Sequence, residues 1–248
     1  MRPVAALLLA LALALAVGCS APPPDNPEGA EDDFSRTDTA EDAVLPYKGA
    51  WLDAPRALSG VGQFDRLKGT IHDDARCSTM VAIAAAIVGG PDRFGRFLSE
   101  VARLRAADRD DLRMVDRARE AADERRLTPR HLHELSDVVV RAYKVANGAY
   151  DGEISRMVRA SGYTSIPVGS KRADMLVASL EPGEVVPLAT VAENIPHITL
   201  LWRDAAGTVR LYDSDDVKGS HVMPRGSARY RERVEDPQSE WSLAAKYR

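Results

Sequence analysis

Three side chains have the types and the order needed for nucleophilic chemistry by a thiol. Cys77 precedes an apolar run, His197 begins a later β-branched run, and Asp213 follows the run after that. A thiol is a good nucleophile only as thiolate, and a helix N-terminus together with an imidazolium lowers a thiol pKa. A carboxylate can hold the imidazole in the required tautomer. The three residues predict a Cys-His-Asp triad for acyl transfer that needs neither a cofactor nor a metal.

A buried helix is predicted to carry the thiol. Residues 80–88 are rich in alanine and apolar on nearly every face, and Gly89, Gly90 and Pro91 follow them. Alanine favours helix, whereas a Gly-Gly-Pro sequence ends one. We expect Cys77 to lie in the first turn of this helix or just before it.

A helical segment is expected over residues 92–160. Its first helix is amphipathic, with apolar positions at Phe94, Phe97, Leu98, Val101 and Leu104. A second helix is expected from residue 114 to about 125, and Thr128 before Pro129 has the pattern of an N-cap for a third. Asp108, Asp110 and Asp111 among arginines indicate a solvated helix face, and His131 and His133 point to different faces and make a poor metal pair.

Three antiparallel strands are expected after this segment, at residues 184–191, 197–202 and 208–212, with a turn at 204–207. If the last two form a hairpin, Asp213 returns toward the end at which His197 lies. The fold class is therefore α+β, in which a nucleophile helix and a helical segment precede a small antiparallel sheet.

The stretch from Asp74 to Ser78 and the two strands that bear His197 and Asp213 resemble the papain-like cysteine peptidases, in particular the bacterial C39-like group. This resemblance implies a papain-like domain. It also implies that Cys77 attacks a peptide or amide carbonyl, His197 transfers the proton and Asp213 orients His197.

Papain-like enzymes usually supply a glutamine about six residues before the cysteine as an oxyanion donor. Ile71 occupies that place, and His72 is the nearest side-chain donor. Either His72 substitutes, or backbone amides act alone, or activity is lost. One such donor is worth roughly 3 kcal/mol in the transition state, which is enough to slow an enzyme but does not by itself show that the enzyme is inactive. Two rival functions stay open: a catalytically inactive papain-like binding lipoprotein with Cys77 as a packing residue, and a transglutaminase-like acyltransferase.

Residues 1–18 are predicted to be a cleaved signal peptide, with Arg2 before an apolar run that is too short to span a bilayer. Residues 15–19, which end in Gly18 and Cys19, resemble the lipobox of bacterial lipoproteins. This implies acylation of Cys19 and a lipid-anchored protein of the cell envelope. Ser20 in the following position favours the outer membrane.

Residues 19–44 contain three consecutive prolines and a cluster of acids, so we expect a disordered tether. Residues 45–248 have the length of a single domain. The net charge of −4 argues against nucleic acid as a partner, which leaves a peptide or protein substrate in the envelope.

Asp213, Asp215 and Asp216 lack the glycine and glutamate of a calcium loop. With Cys19 acylated, Cys77 has no partner for an internal disulfide.

Overall fold

The structure is a computed structural model, and it describes Leu58 and residues 76–145, 151–168, 173–192, 195–214, 222–235, 241–243 and 246–248. The predicted signal peptide at 1–18, the predicted tether at 19–44, Cys19 and His72 lie outside the described residues.

Helix α1 spans Arg76–Val88, and all thirteen of its residues are buried. Four alanines keep its surface narrow enough for neighbouring elements to pack closely on every side. The backbone amides of Gly89 and Gly90 donate to the carbonyls of Ala85 and Ile87, and Gly90 has a φ of +93°. The predicted buried helix and its Gly-Gly-Pro end are confirmed, and Cys77 lies in the first turn.

The helical segment consists of α2 at Pro91–Leu104, α3 at Arg109–Asp123, α4 at Pro129–Tyr143 and α5 at Asp151–Ala160. The predicted N-cap of α4 is confirmed, because the Thr128 hydroxyl accepts from the amide of His131. In α2 the apolar positions are buried except Leu104, which is 36% exposed and therefore lies outside the core.

Helix α3 begins five residues earlier than expected, because the Asp108 carboxylate caps it by accepting from the amides of Asp110 and Asp111. The prediction of a solvated face was wrong for Asp111, which is 2% exposed. Its carboxylate accepts from Arg105 Nε at 2.5 Å and from Arg141 Nε at 3.1 Å. The Asp111 carboxylate, on α3, therefore links this helix to Arg105, just after the end of α2, and to Arg141 on α4.

The strands are β1 at Ser165–Ile166, β2 at Val185–Ala192, β3 at Ile195–Arg203, β4 at Val209–Tyr212, β5 at Val222–Pro224, β6 at Trp241–Leu243 and β7 at Lys246–Tyr247. They form an antiparallel sheet in the order β1-β7-β2-β3-β4-β5, and β6 also pairs with β2. The predicted β3–β4 hairpin is confirmed, with Leu200 opposite Tyr212 and Arg203 opposite Val209. The chain thus has the expected α+β arrangement of helices followed by a small antiparallel sheet.

The two faces of the sheet belong to different apolar clusters. On β3, Ile198, Leu200 and Trp202 pack in the cluster of α1. Leu201 belongs to the second cluster, which contains residues of α6 at Ala173–Ser179, Tyr230 of the short helix α7 at Ala228–Tyr230, and Val234 of the π-helical turn Arg231–Glu235. The sheet therefore lies between α1 on one side and a smaller layer on the other.

Asp111→Asn should destabilise the protein by about 2 kcal/mol at pH 7, the cost of losing charge-assisted hydrogen bonds in a buried place. Burial alone would raise the pKa of Asp111, but hydrogen bonds from Arg141 and Arg105 outweigh it and hold the pKa below the usual 3.8. A carboxylate with a lowered folded-state pKa stabilises the fold above its unfolded pKa, and this contribution is lost as the pH falls through the folded value. Urea unfolding of both proteins should therefore give a difference in unfolding free energy that is constant above about pH 4.5. This difference should shrink as the pH falls below the usual pKa of 3.8. A difference that persists unchanged into the acid range would contradict this account.

Candidate functional site

The hairpin brings His197 and Asp213 into contact. His197 lies near the start of β3, and Asp213 follows the last residue of β4. Because Leu201 pairs with Leu211, the antiparallel register sets Asp213 across from Thr199, two residues from His197 and on the same face. His197 Nε2 and Asp213 Oδ1 are 2.8 Å apart, with the side chains 4% and 0% exposed.

Two arginines bind the other carboxylate oxygen. Arg233 Nε donates to Asp213 Oδ2 at 3.0 Å, and Arg229 Nε lies 3.8 Å from the same atom. Arg229 belongs to α7 and Arg233 to the π-helical turn that follows it. A buried carboxylate is costly unless cations or donors compensate it, so this pair allows Asp213 to remain ionised beside the imidazole.

The contact through Nε2 constrains the proton positions on the ring. An ionised carboxylate accepts hydrogen bonds and cannot donate them, so Nε2 must carry a proton. In the neutral ring Nδ1 is then the basic nitrogen. The Asp213 carboxylate thereby selects one tautomer of His197.

Cys77 occupies the first turn of α1, and its side chain is fully buried. It is not part of a disulfide. The thiol belongs to the apolar cluster that also contains Ile198 and Trp202 of β3. Helix α1 packs against the strand that bears His197. The helix N-terminus provides the positive end of a dipole close to the thiol.

Strand alternation determines which face of β3 each side chain covers. Successive residues of a strand point to opposite faces. Ile198 and Leu200 contact the cluster of α1, and Leu201 contacts the other one. His197 shares its parity with Leu201, consistent with the contact between Asp213 and the arginines of the second layer.

The start of α1 is fixed by polar contacts to α4. Arg76, which precedes the cysteine, is 1% exposed and forms an ion pair with Asp137. The hydroxyls of Thr79 and Ser136 lie 2.8 Å apart. Among the described residues, the Nε and Nη1 atoms of Arg76 have no hydrogen-bond partner, so Asp137 alone compensates this buried cation. These contacts hold the turn that contains Cys77.

Sequence reasoning missed Asp137, Arg229 and Arg233. Their residue types are ordinary for helix surfaces, and the sequence contains no pattern that pairs them with buried groups. The oxyanion candidate His72, together with Ile71, lies outside the described residues, as do Asp215 and Asp216. In the described part of the chain no cluster of His, Cys, Asp and Glu side chains could hold a metal ion. His131 instead caps α4, with Nδ1 3.2 Å from the amide of Thr128.

No protein-family model, curated protein sequence or solved structure matches this chain. Within the described residues, no helix is both long enough and apolar enough to cross a membrane.

Asp137→Asn should lower the free energy of unfolding by about 3 kcal/mol, because it leaves the buried Arg76 without an anionic partner. The matched control is Asp116→Asn, which removes an exposed partner of Arg119 and should cost less than about 0.5 kcal/mol. Chemical unfolding at pH 7 measures both values. Equal small losses in the two variants would show that Arg76 does not need its partner.

Proposed function

We propose that the protein is a cysteine hydrolase that cleaves amide or peptide bonds with Cys77, His197 and Asp213. The observation that carries the proposal is the buried hydrogen bond between His197 Nε2 and Asp213 Oδ1. A carboxylate that fixes the tautomer of a histidine is the supporting part of a nucleophilic triad. The thiol lies in the first turn of the helix that packs on the strand of that histidine.

The proposed reaction uses this tautomer and requires Nδ1 of His197 to reach the Cys77 thiol. Nδ1 of His197 takes the proton of the Cys77 thiol, and the thiolate attacks the substrate carbonyl. The imidazolium, stabilised by Asp213, then gives that proton to the leaving amine as the carbon–nitrogen bond breaks. Water, losing a proton to His197, attacks the thioester; the carbon–sulfur bond breaks, the acid leaves and the proton returns to the thiolate. Backbone amides at the start of α1 and the His72 side chain are the candidate donors to the oxyanion.

A papain-like fold is part of this proposal. A buried helix with a cysteine in its first turn, a helical segment after it, and an antiparallel sheet with histidine on one strand and aspartate after the next support it. The helical segment α2 to α5 lies between the thiol and the sheet in the chain.

A second candidate is a catalytically silent binding module with the same fold. Two observations favour it: Cys77 has no exposed surface, and strand parity directs His197 to the face that carries Leu201 rather than toward the cluster of the thiol. Under this reading His197, Asp213 and the two arginines form a structural network, and Cys77 is a small packing residue.

The reactivity of Cys77 separates the two candidates. In the hydrolase, iodoacetamide should alkylate Cys77 of the folded full chain below about pH 7, and His197→Ala should move the profile to higher pH because the paired imidazolium is lost. Peptide mass spectrometry after timed quenching measures the profile. Thr199→Ala, which changes a buried residue two positions along β3, is the matched control and should leave the profile in place.

A thiol that stays unmodified across the whole pH range in which the chain is folded would exclude the hydrolase and leave the binding module as the candidate to test. A profile that moves equally in the His197 and Thr199 variants would show that loosened packing, rather than the imidazole, governs the thiol.

We also propose that the protein is an envelope lipoprotein anchored through Cys19, since a short apolar run followed by Gly18 and Cys19 supports signal cleavage and acylation. The mature N-terminal peptide should begin at Cys19 and carry the mass of its acyl chains. Cys19→Ser should move the protein from the membrane fraction to the soluble fraction. An N-terminal peptide that begins elsewhere, without acyl mass, would contradict the anchor.

A further inference from the structure

A basic groove is lined by residues of α2, of α5 and of the last turn of α4. Its volume is about 1190 Å³. It contains a single carboxylate, Glu100, and five cationic side chains: Arg96, Arg103, Lys144, Arg156 and Arg159. None of these residues belongs to the Cys77, His197 and Asp213 site.

Three of the five cations have no counterion within the part of the chain that the structure describes. Arg103 bonds Glu100 at 2.7 Å, and Arg156 lies 3.6 Å from Glu153. Among the described residues no acidic side chain pairs with Arg96, Lys144 or Arg159. Several exposed arginines elsewhere on the helical segment do have acidic partners: Arg113 and Arg119, for example, pair with Asp110 and Asp116. The groove is therefore a local excess of positive charge.

Packing against the backbone fixes the position of Arg96 in the groove. Arg96 lies over the backbone of Gly162, where an added Cβ would come 2.7 Å from its Nη1 atom. Glycine with a φ of +79° leaves the room for this approach between α2 and the end of α5. Tyr143 lines the groove as well, and its buried hydroxyl has no hydrogen-bond partner within the described residues. A carboxylate bound here would meet both guanidinium and hydroxyl donors.

We propose that this groove binds the acidic segment of the same chain, residues 25–42. That segment contains eight carboxylates and one base, Arg36, a charge pattern complementary to the groove. Fifteen residues separate it from Leu58, the first described position, and at about 3.4 Å per extended residue they span on the order of 50 Å. This reach exceeds the diameter of a domain of this size. An attached segment also has an effective concentration of about millimolar, so several weak ion pairs suffice to bind it.

The experiment measures tryptic cleavage after Arg36 in the full chain, purified in detergent. Arg36 is the only Lys or Arg between Arg2 and Lys48, so cleavage there reports directly on the acidic segment, and cleavage after Lys48 serves as the internal reference. In 20 mM salt the docked segment should be cleaved roughly tenfold more slowly than in 1 M salt, where charges are screened within about 3 Å.

Two independent sets of substitutions should abolish this salt-dependent protection. One neutralises the groove through Arg96→Gln, Lys144→Gln and Arg159→Gln. The other neutralises the segment through Glu31→Gln, Asp32→Asn and Asp33→Asn, which changes none of the described residues. The control variant Arg113→Gln, Arg117→Gln, Arg119→Gln removes the same number of charges from α3 and should keep the protection.

Equal rates at low and high salt in the unmodified chain would overturn the proposal, as would loss of protection in the α3 control. A third arm adds phosphatidylglycerol vesicles, in buffer without detergent, to chains that also carry Cys19→Ser, so that the proposed acyl anchor does not account for vesicle binding. If the groove variant loses vesicle binding but keeps the protection at Arg36, the groove serves an anionic lipid surface and the intramolecular assignment is wrong.

Discussion

The exclusion of α1 from solvent is the constraint on which the rest of the structure depends. A helix with thirteen buried residues must be covered on all sides, and the sheet and the helical segment share this task. The alanines at its centre make close contact possible, and any larger residue there would force the strand or the helices outward. The ion pair between the buried Arg76 and the partly exposed Asp137 orients this packing, because it ties one end of α1 to a particular turn of α4.

Much of the fold could be predicted because its elements have local causes. Glycine and proline after Val88, threonine before Pro129, and β-branched runs on either side of residues 204–207 are features of the neighbouring residues alone. The start of α3 could not be placed this way, since a cap at Asp108 and an apolar pattern that begins at Met114 are both valid local features. Asp111 was misjudged because burial of a charged side chain depends on Arg141, thirty positions later in the chain.

In the candidate site, too, features with local causes could be predicted and features that depend on distant residues could not. The proximity of His197 and Asp213 follows from hairpin register, a short-range property of the two strands. The arginines on the far oxygen of Asp213 come from a π-helical turn, and nothing in the periodicity of residues 225–235 indicates such a turn. The sequence also could not predict on which face of the sheet His197 lies. The alternation of side chains along a strand is known in advance, but the elements that pack on each face are not.

The burial of Cys77 has a kinetic consequence. A fully enclosed sulfur is reached only when the surrounding chain opens, so the rate of any reaction at this thiol has a ceiling set by how often that opening occurs. At high reagent concentration the observed rate would stop rising and would equal the opening rate itself. Cys77, the one thiol among the described residues, is thus a built-in reporter of fluctuations around the start of α1, whether or not it also performs chemistry.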